Sequence, residues 1–327
     1  MKTYRTGKPL HLAALLLALA AILVLGIGAL RARTLMRSAL DGRREREQQT
    51  AYLREIGLRA EMNSGQADTR VNGWLSIVQE EDVTLKGARG VLHARLYPAV
   101  GQAEAPWAIV LHGGLGTDSR QVRDLACMLS LSGYRVLTPD LYAHGKSGGE
   151  MTSLGLRDAQ DVHGWIDWIL MEDADARIVL LGLDEGGVAA LLAACDGLPE
   201  AVKAVAADSA YSSVRLRAQQ LAAEIGFAQP LDAALLEAAF RAVHGVSLAE
   251  GELTQRIARA DVPLLLIHAT GDEDVPAWHS EDLAQAAGEN AQLLYIEGAP
   301  HGMGRFAQRE LYEETLLDFF AAALDAQ

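Results

Sequence analysis

The sequence of 327 residues contains little cysteine, with Cys127 and Cys195 alone. Two thiols so far apart in the chain make no disulfide framework, and neither belongs to a paired Cys/His spacing of a zinc site. Each lies in a segment that is apolar at helical spacing, where free cysteine behaves as a small buried hydrophobe. We therefore predict that both are structural.

Metal and cofactor motifs are also missing. The chain has no H-E-x-x-H pair, and the segment GLGTDSR at residues 114–120 lacks the G-K-[ST] ending of a phosphate-binding loop. The sequence therefore predicts no metal site and no cofactor.

Positive charge is scarce beyond the first 60 residues. Residues 1–60 carry 11 Lys/Arg and 4 Asp/Glu, a net charge of +7, whereas the remaining residues carry 18 and 39, a net charge of −21. A body this acidic repels a phosphate backbone, so we expect no nucleic-acid partner.

Long apolar runs are absent except for one, HLAALLLALAAILVLGIGAL at residues 11–30. Its 19 uncharged residues from Leu12 to Leu30 approach the roughly 20 that a transmembrane helix needs. The run exceeds the roughly 7–15 apolar residues of a cleaved signal peptide, which is the second alternative. We predict an uncleaved single-pass anchor within residues 1–33 and a membrane location. Basic residues flank the run on both sides, so the side of the membrane stays open.

Residues 34–79 are polar, with helical spacing, and predict a juxtamembrane stalk that becomes the first helix of the body. Residues 80–327 form the predicted main domain. There, short apolar runs alternate with amphipathic helical segments, as in a mostly parallel sheet with helices on both faces. The predicted strands lie at residues 91–98, 107–113, 134–140, 177–182, 202–208, 263–269 and 291–298.

One interval breaks this alternation. Residues 211–260 contain about two helices' worth of sequence and no strand pattern. They predict a small helical cap inserted between two late strands.

Candidate site residues follow the strands, because sites in parallel sheets form at the carboxyl ends of strands. Asp184 lies in a strand-to-helix turn, in the five residues GLDEG where many hydrolases have G-x-S-x-G. Acidic residues lie in HATGDEDVP at 268–276, and His301 lies in EGAPHGMG at 297–304. The order of nucleophile position, acid and histidine is the chain order of α/β hydrolases.

From Gly90 onward the sequence resembles the α/β-hydrolase fold superfamily. It is similar in particular to bacterial membrane-anchored hydrolases related to serine aminopeptidases and lysophospholipase-like esterases. The resemblance is carried, in family order, by IVLHGGLG, VLTPDLYAHGKSGGE, GLRDAQDVHGWIDWI, VLLGLDEGG, LLLIHATGDEDVP and EGAPHGMG.

The resemblance implies that His301 is the general base and that Asp272, the first residue of the family's D-x-x-V-P pattern, orients it, with Asp274 as the weaker alternative. The backbone N–H groups of Gly114 and Glu185 would form the oxyanion hole. The implied partner is a small-molecule or peptide substrate. The chain departs from the family where Asp184 replaces the nucleophilic serine, and where the R-G-H-G loop reads YAHG at residues 142–145.

Three interpretations of Asp184 remain open. As a nucleophile it would form an ester intermediate, as in haloalkane dehalogenases and epoxide hydrolases, but Glu185 and Tyr211 are weak substitutes for the groups that assist the leaving group there. Alternatively, it supports ester or amide hydrolysis by holding a water or forming an anhydride. In the third, the protein is an inactive pseudohydrolase with a binding or scaffold role. Two carboxylates would then hold His301 charged, and Glu185 would add negative charge. A bland alternative is that Asp184 simply caps the next helix.

Overall fold

A computed structural model of the chain describes residues 8–41, 58–101, 104–114 and 116–326. Its centre is an eight-stranded sheet with the spatial order β1-β2-β4-β3-β5-β6-β7-β8. The strands are β1 Glu81–Gly87, β2 Gly90–Tyr97, β3 Trp107–Leu111, β4 Arg135–Asp140, β5 Ile178–Leu183, β6 Val202–Asp208, β7 Leu264–Ala269 and β8 Ala291–Ile296. Strands β1 and β2 pair antiparallel, and all other pairs except β2 with β4 are parallel. The predicted mostly parallel sheet is confirmed.

Ten helices surround this sheet in the described chain. They are α1 Lys8–Leu40, α2 Leu58–Leu75, α3 Arg123–Leu131, α4 Asp158–Glu172, α5 Glu185–Asp196, α6 Val214–Glu224, α7 Pro230–His244, α8 Trp278–Ala287, α9 Gly304–Ala307 and α10 Arg309–Asp325. Apolar residues of the central strands alternate between two buried clusters, one on each face of the sheet. This alternation places helices on both faces, as predicted.

The predicted cap is present between β6 and β7. Helices α6 and α7 and three short 3-10 turns, at Leu248–Gly251, Leu253–Gln255 and Ile257–Arg259, occupy it. The capping geometry explains its start: the Ser213 hydroxyl accepts the Leu216 N–H at the beginning of α6. Asp232 closes a capping box at the beginning of α7.

Strand β1 is absent from the sequence-based prediction. It is an edge strand whose residues EDVTLKG are exposed or half-buried, so it lacks the apolar run that marks the other seven strands. Both cysteines are buried and free, as predicted.

Helix α1 is continuous from Lys8 to Leu40 and passes through the predicted anchor boundary at residue 33. No helix in the described part of the chain combines the length and apolar character needed to cross a membrane. The side chains of residues 11–17, 19 and 20 of the predicted anchor lie outside the described set. Within the described remainder, Ile22, Val24 and Leu25 are 65–72% exposed.

The last two turns of α1 belong to the core of the body. Leu35 and Leu40 are fully buried with Met36 and Ala39 in the larger apolar cluster. Nearer the middle of the helix, Arg31 makes a bidentate ion pair with Asp232 of the cap, at 2.6 and 3.0 Å. The end of α1 therefore packs as part of the main body rather than as a juxtamembrane stalk.

We expect Leu40→Ala to lower the free energy of unfolding by about 2–5 kcal/mol, because it leaves a cavity in the core. The matched control is Leu30→Ala on the same helix, where the side chain is 66% exposed and the cost should stay within about 0.5 kcal/mol. Urea unfolding of the full chain measures both. Equal effects of the two substitutions would contradict the packing of the helix end.

Candidate active site

The turn between β5 and α5 is a tight elbow with Asp184 at its apex. Asp184 has φ +47° and ψ −112°, a strained backbone conformation for a residue other than glycine. A Cβ on Gly182 would overlap the carbonyl oxygen of Gly186, and one on Gly186 would overlap that of His112. A Cβ on Gly113 would likewise overlap the carbonyl oxygen of Leu183 and the Cβ of Asp184. The small residues therefore let β5 turn sharply and raise Asp184 above the sheet.

Asp184 does not act as a helix cap. Its side chain makes no capping hydrogen bond to α5, which removes the bland interpretation. Its carboxylate instead points to the loop after β8, where Oδ2 lies 3.6 Å from Nε2 of His301. Asp184 is 5% exposed, and the His301 side chain is 15% exposed.

His301 bridges the two candidate carboxylates. Its Nδ1 lies 2.7 Å from Oδ2 of Asp272, the residue that follows β7. The other oxygen of Asp272, Oδ1, accepts the N–H groups of Asp274 and Val275 at 3.0 and 2.8 Å. The structure thus brings together Asp184, His301 and Asp272, and it places Asp274 in the supporting turn rather than against the imidazole.

The two carboxylates hold the proton on His301. Burial lowers its pKa, but the close carboxylate of Asp184 and the hydrogen-bonded carboxylate of Asp272 outweigh burial and raise the pKa to about 10. Burial raises the pKa of Asp272, yet hydrogen bonds from His268 and His301 hold it well below its usual range. At neutral pH the arrangement is an imidazolium between two carboxylates.

Glu185 contributes less negative charge than the sequence suggests. Its carboxyl is buried under the elbow and accepts a hydrogen bond from the hydroxyl of Thr152. Burial first, and then the charges of Asp158 and Asp184, raise its pKa to about 8 against the opposing effect of that bond. Glu185 is therefore mostly protonated at neutral pH.

The candidate oxyanion donors lie beside the elbow. Glu185 is the first residue of α5, where backbone N–H groups and the helix dipole favour negative charge. A Cβ on Gly114 would lie 3.5 Å from Oδ2 of Asp184, so its backbone passes next to the carboxylate. Leu115, the next residue in this loop, lies outside the described residues.

Two neighbours of the site were missed by sequence reasoning. His268 is buried and lies 3.5 Å from Asp272, held by Ser280 and the Val275 carbonyl. Arg217 of the cap is buried and donates to the carbonyl of Asp274 at 3.1 Å. Its pKa is lowered by burial but raised overall, chiefly by the charge of Asp184. The sequence gives no reason to expect that Arg217 is buried while the side chain of Arg215 is 44% exposed.

His112 and His144 are both buried, and their rings meet edge to face with centroids 5.1 Å apart. His112 accepts the Leu141 N–H through Nε2 at 3.0 Å and contacts the Thr117 hydroxyl through Nδ1. Burial, followed by repulsion from His144, lowers its pKa to about 3.

We expect the imidazole of His301 to titrate at pH about 10, and Asp184→Asn to lower this pKa by at least about one unit, because one of its two carboxylate partners is lost. Asp274→Asn is the matched control, since Asp274 lies on the supporting turn, and it should leave the pKa of His301 unchanged. NMR titration of the ring protons measures both. A pKa near 6.5 in the natural chain would contradict the ion-paired geometry.

The same raised pKa gives stability a pH dependence with a definite sign. A group whose pKa is higher in the folded than in the unfolded state stabilises the folded state. For His301 this contribution is complete below the unfolded pKa of histidine, about 6.5, and is lost as the pH rises through the folded value, about 10. The decline in unfolding free energy from His301 should therefore fall between these limits, and in Asp184→Asn it should end at lower pH.

Known proteins of the same architecture match the chain. It is 28% identical over 236 residues to the protein described as uncharacterized protein YfhR of Escherichia coli (strain K12), covering 70% of this chain and 75% of that one. The esterase Pf2001 of Pyrococcus furiosus is similar in structure, with a TM-score of 0.59 and 18% identity over 76% of this chain and 93% of that one. The acylaminoacyl peptidase of Pyrococcus horikoshii has a TM-score of 0.55 and 17% identity, over 76% and 42%.

These structural similarities establish the α/β-hydrolase fold. The family model of the prolyl oligopeptidase family, Peptidase_S9, matches residues 128–327, which is more than half of the chain and includes Asp184, Asp272 and His301. The chain therefore belongs to the prolyl oligopeptidase family.

Proposed function

We propose that the chain hydrolyses ester or amide bonds of a small-molecule or peptide substrate, with Asp184 as nucleophile, His301 as proton carrier and Asp272 as the group that orients the imidazole. The observation that carries this proposal is the continuous contact from Asp184 through His301 to Asp272, 3.6 Å and 2.7 Å long. Distances of this size in a protein without substrate are compatible with catalysis.

In the first step, a carboxylate oxygen of Asp184 adds to the acyl carbon of the substrate. The resulting oxyanion accepts hydrogen bonds from the backbone N–H groups of Gly114 and Glu185. Collapse breaks the bond to the leaving alcohol or amine, which takes the Nε2 proton of His301. The raised pKa suits this step, because the resting histidine already carries the proton that the leaving group needs.

The product of that step is an acyl anhydride on Asp184, which has no charge. His301 is now neutral and faces a single charged carboxylate, Asp272, so it can accept a proton from water. The hydroxide adds to the substrate's acyl carbon and expels the Asp184 carboxylate. The product acid leaves, and the ion pair between Asp184 and protonated His301 is restored.

Anhydride formation is less favourable than formation of a serine ester, so good leaving groups are required. We therefore expect slow turnover of activated esters and slower turnover of amides. Arg217 supports this chemistry, because a buried cation near Asp184 attracts the negative charge that develops during attack.

A second candidate function is an inactive pseudohydrolase with a binding or scaffold role. The specific observation in its favour is the position of His301 between the carboxylates of Asp184 and Asp272, at 3.6 and 2.7 Å, because they favour a protonated imidazole that cannot be the base of a serine-type reaction. The dehalogenase or epoxide-hydrolase type has less support, because the two groups that could assist the leaving group are bonded elsewhere. The Tyr211 hydroxyl donates to the Leu154 carbonyl at 2.9 Å, and the Glu185 carboxyl is bound to Thr152.

We expect the full chain, in a mild nonionic detergent, to hydrolyse p-nitrophenyl acyl esters slowly, and His301→Ala to lower the rate about 10²–10⁴-fold by removing the proton carrier. Asp184→Asn should be similarly impaired, whereas Asp274→Asn, on the supporting turn, should retain most of the rate. A silent natural chain with an active Asp184→Ser variant would instead establish the pseudohydrolase.

Turnover in ¹⁸O-labelled water separates the two covalent routes. Attack of water on the acyl carbon puts the label into the product acid, whereas an alkyl ester on Asp184 would be opened at the Asp184 carbonyl and put the label into the protein. Mass spectrometry of the peptide that contains Asp184 distinguishes them.

We also propose that residues 11–30 anchor the chain to a membrane. Support comes from the 19 uncharged residues from Leu12 to Leu30 in this run. No side of the membrane is assigned.

The anchor is tested by flotation of the full chain with phosphatidylcholine vesicles. We expect Leu17→Arg with Val24→Arg to abolish flotation, since each arginine costs about 2.5–3.5 kcal/mol at the centre of a membrane helix. Met171→Arg is the control, because Met171 is exposed on α4, outside the run. Flotation of both variants alike would exclude the anchor.

A further inference from the structure

A polar cavity lies outside the elbow, where the cap meets the loop after β4. Its volume is about 230 Å³, and its lining includes Arg89, Arg157 and His244. The residues come from the β1–β2 turn, the beginning of α4 and the end of α7. Asp184, His301 and Asp272 are not part of this lining.

Four buried nitrogen atoms in this lining have no hydrogen-bond partner within the part of the chain that the structure describes. They are Nε and Nη1 of Arg89, Nε of Arg157 and Nε2 of His244. The three guanidinium nitrogens are donors, and buried donors without partners are costly, so their cluster around one cavity indicates a bound acceptor. His244 itself is only 8% exposed.

Of the two arginines that line the cavity, only Arg157 can offer an uncompensated charge. Nη2 of Arg89 is already paired with Asp158 at 3.0 Å and Asp161 at 2.6 Å. Arg157 makes no ion pair in the described chain, so its charge is available. The exposed Glu150 at the rim and the two aspartates behind Arg89 repel a dianion more strongly than a monoanion. Burial and then Arg89 lower the pKa of His244 to about 4, so it adds no positive charge at neutral pH.

An apolar groove continues from the polar cavity. It has a volume of about 800 Å³ and runs between α1 and α7, with Leu25, Ile27, Leu231 and Leu235 in its lining and with Arg31, Arg33 and Arg37 of α1 also bordering it. Met151 and Val243 line both the cavity and the groove, so the two spaces adjoin. A ligand that fits both has a monoanionic head joined to a hydrocarbon chain.

We propose that this composite site binds a long-chain fatty acid, with its carboxylate between Arg89, Arg157 and His244 and its alkyl chain in the groove between α1 and α7. The carboxylate accepts hydrogen bonds from the guanidinium nitrogens, and the chain buries apolar surface of both helices. This site is separate from the elbow, so the inference stands or falls independently of hydrolysis.

The test measures binding of radiolabelled palmitate to the full chain in a nonionic detergent. We expect saturable binding that Arg157→Gln weakens about tenfold or more, since it removes a charge-assisted hydrogen bond. Arg215→Gln, on an exposed cap arginine, is the matched control and should bind as the natural chain does. Ala238→Trp, which fills the groove from an exposed position on α7, should weaken binding while leaving the polar cavity unchanged.

Competitors identify which part of the ligand is recognised. Acetate lacks the chain and 1-monopalmitoylglycerol lacks the charge, so both should displace palmitate poorly. Full displacement by monopalmitoylglycerol, or equal binding by Arg157→Gln and Arg215→Gln, would overturn the carboxylate site. Phosphatidylglycerol vesicles that bind through Arg157 while palmitate does not would overturn the proposal in favour of a membrane lipid. Urea midpoints of the variants control for folding, and Ala238→Trp tests the groove even where Arg157→Gln is unstable.

Discussion

The close approach of three backbone segments at the elbow is the constraint on which the site depends. Gly113, Gly182 and Gly186 meet where a single added methyl group would overlap a carbonyl oxygen. This contact forces the positive φ of Asp184 and fixes its side chain above the carboxyl ends of the strands. The strain at one residue is held by the surrounding sheet and helix, which are buried on all sides. The geometry is therefore retained whether the apex residue is serine or aspartate.

Replacing serine by aspartate changes the protonation state of the site more than it changes the backbone geometry of the elbow. A serine site at rest holds a neutral histidine, whereas here two carboxylates keep the His301 proton in place. In the proposed reaction the histidine is thus an acid first and a base only after the apex carboxylate has lost its charge. The buried Arg217 and the protonated Glu185 limit the excess of negative charge around this pair.

The sequence predicted the parts of the fold that rest on burial of continuous apolar runs, which describes seven of the eight strands. Strand β1 was missed because an exposed edge strand has no such run. The end of α1 was interpreted as a solvated stalk, since its arginines obscure the apolar stripe of Leu35 and Leu40 that packs on the body. The family pattern favours Asp272 over Asp274, and in the structure Asp272 is the one that lies against His301. Arg217 could not be found, because its burial depends on how the cap docks, and local sequence does not encode that docking.

Because α1 is one continuous helix, it connects the core of the body with the cap. Its last turns are fixed in the core, its middle is paired with Asp232 at the start of the cap helix α7, and its first half projects beyond them. Outward rotation of α7 must therefore break the pair between Arg31 and Asp232 or carry the whole helix along. The position of α1 is thus coupled to the cap through Arg31 and Asp232, and the cap in turn contacts, through Arg217 of α6, the turn that holds Asp272.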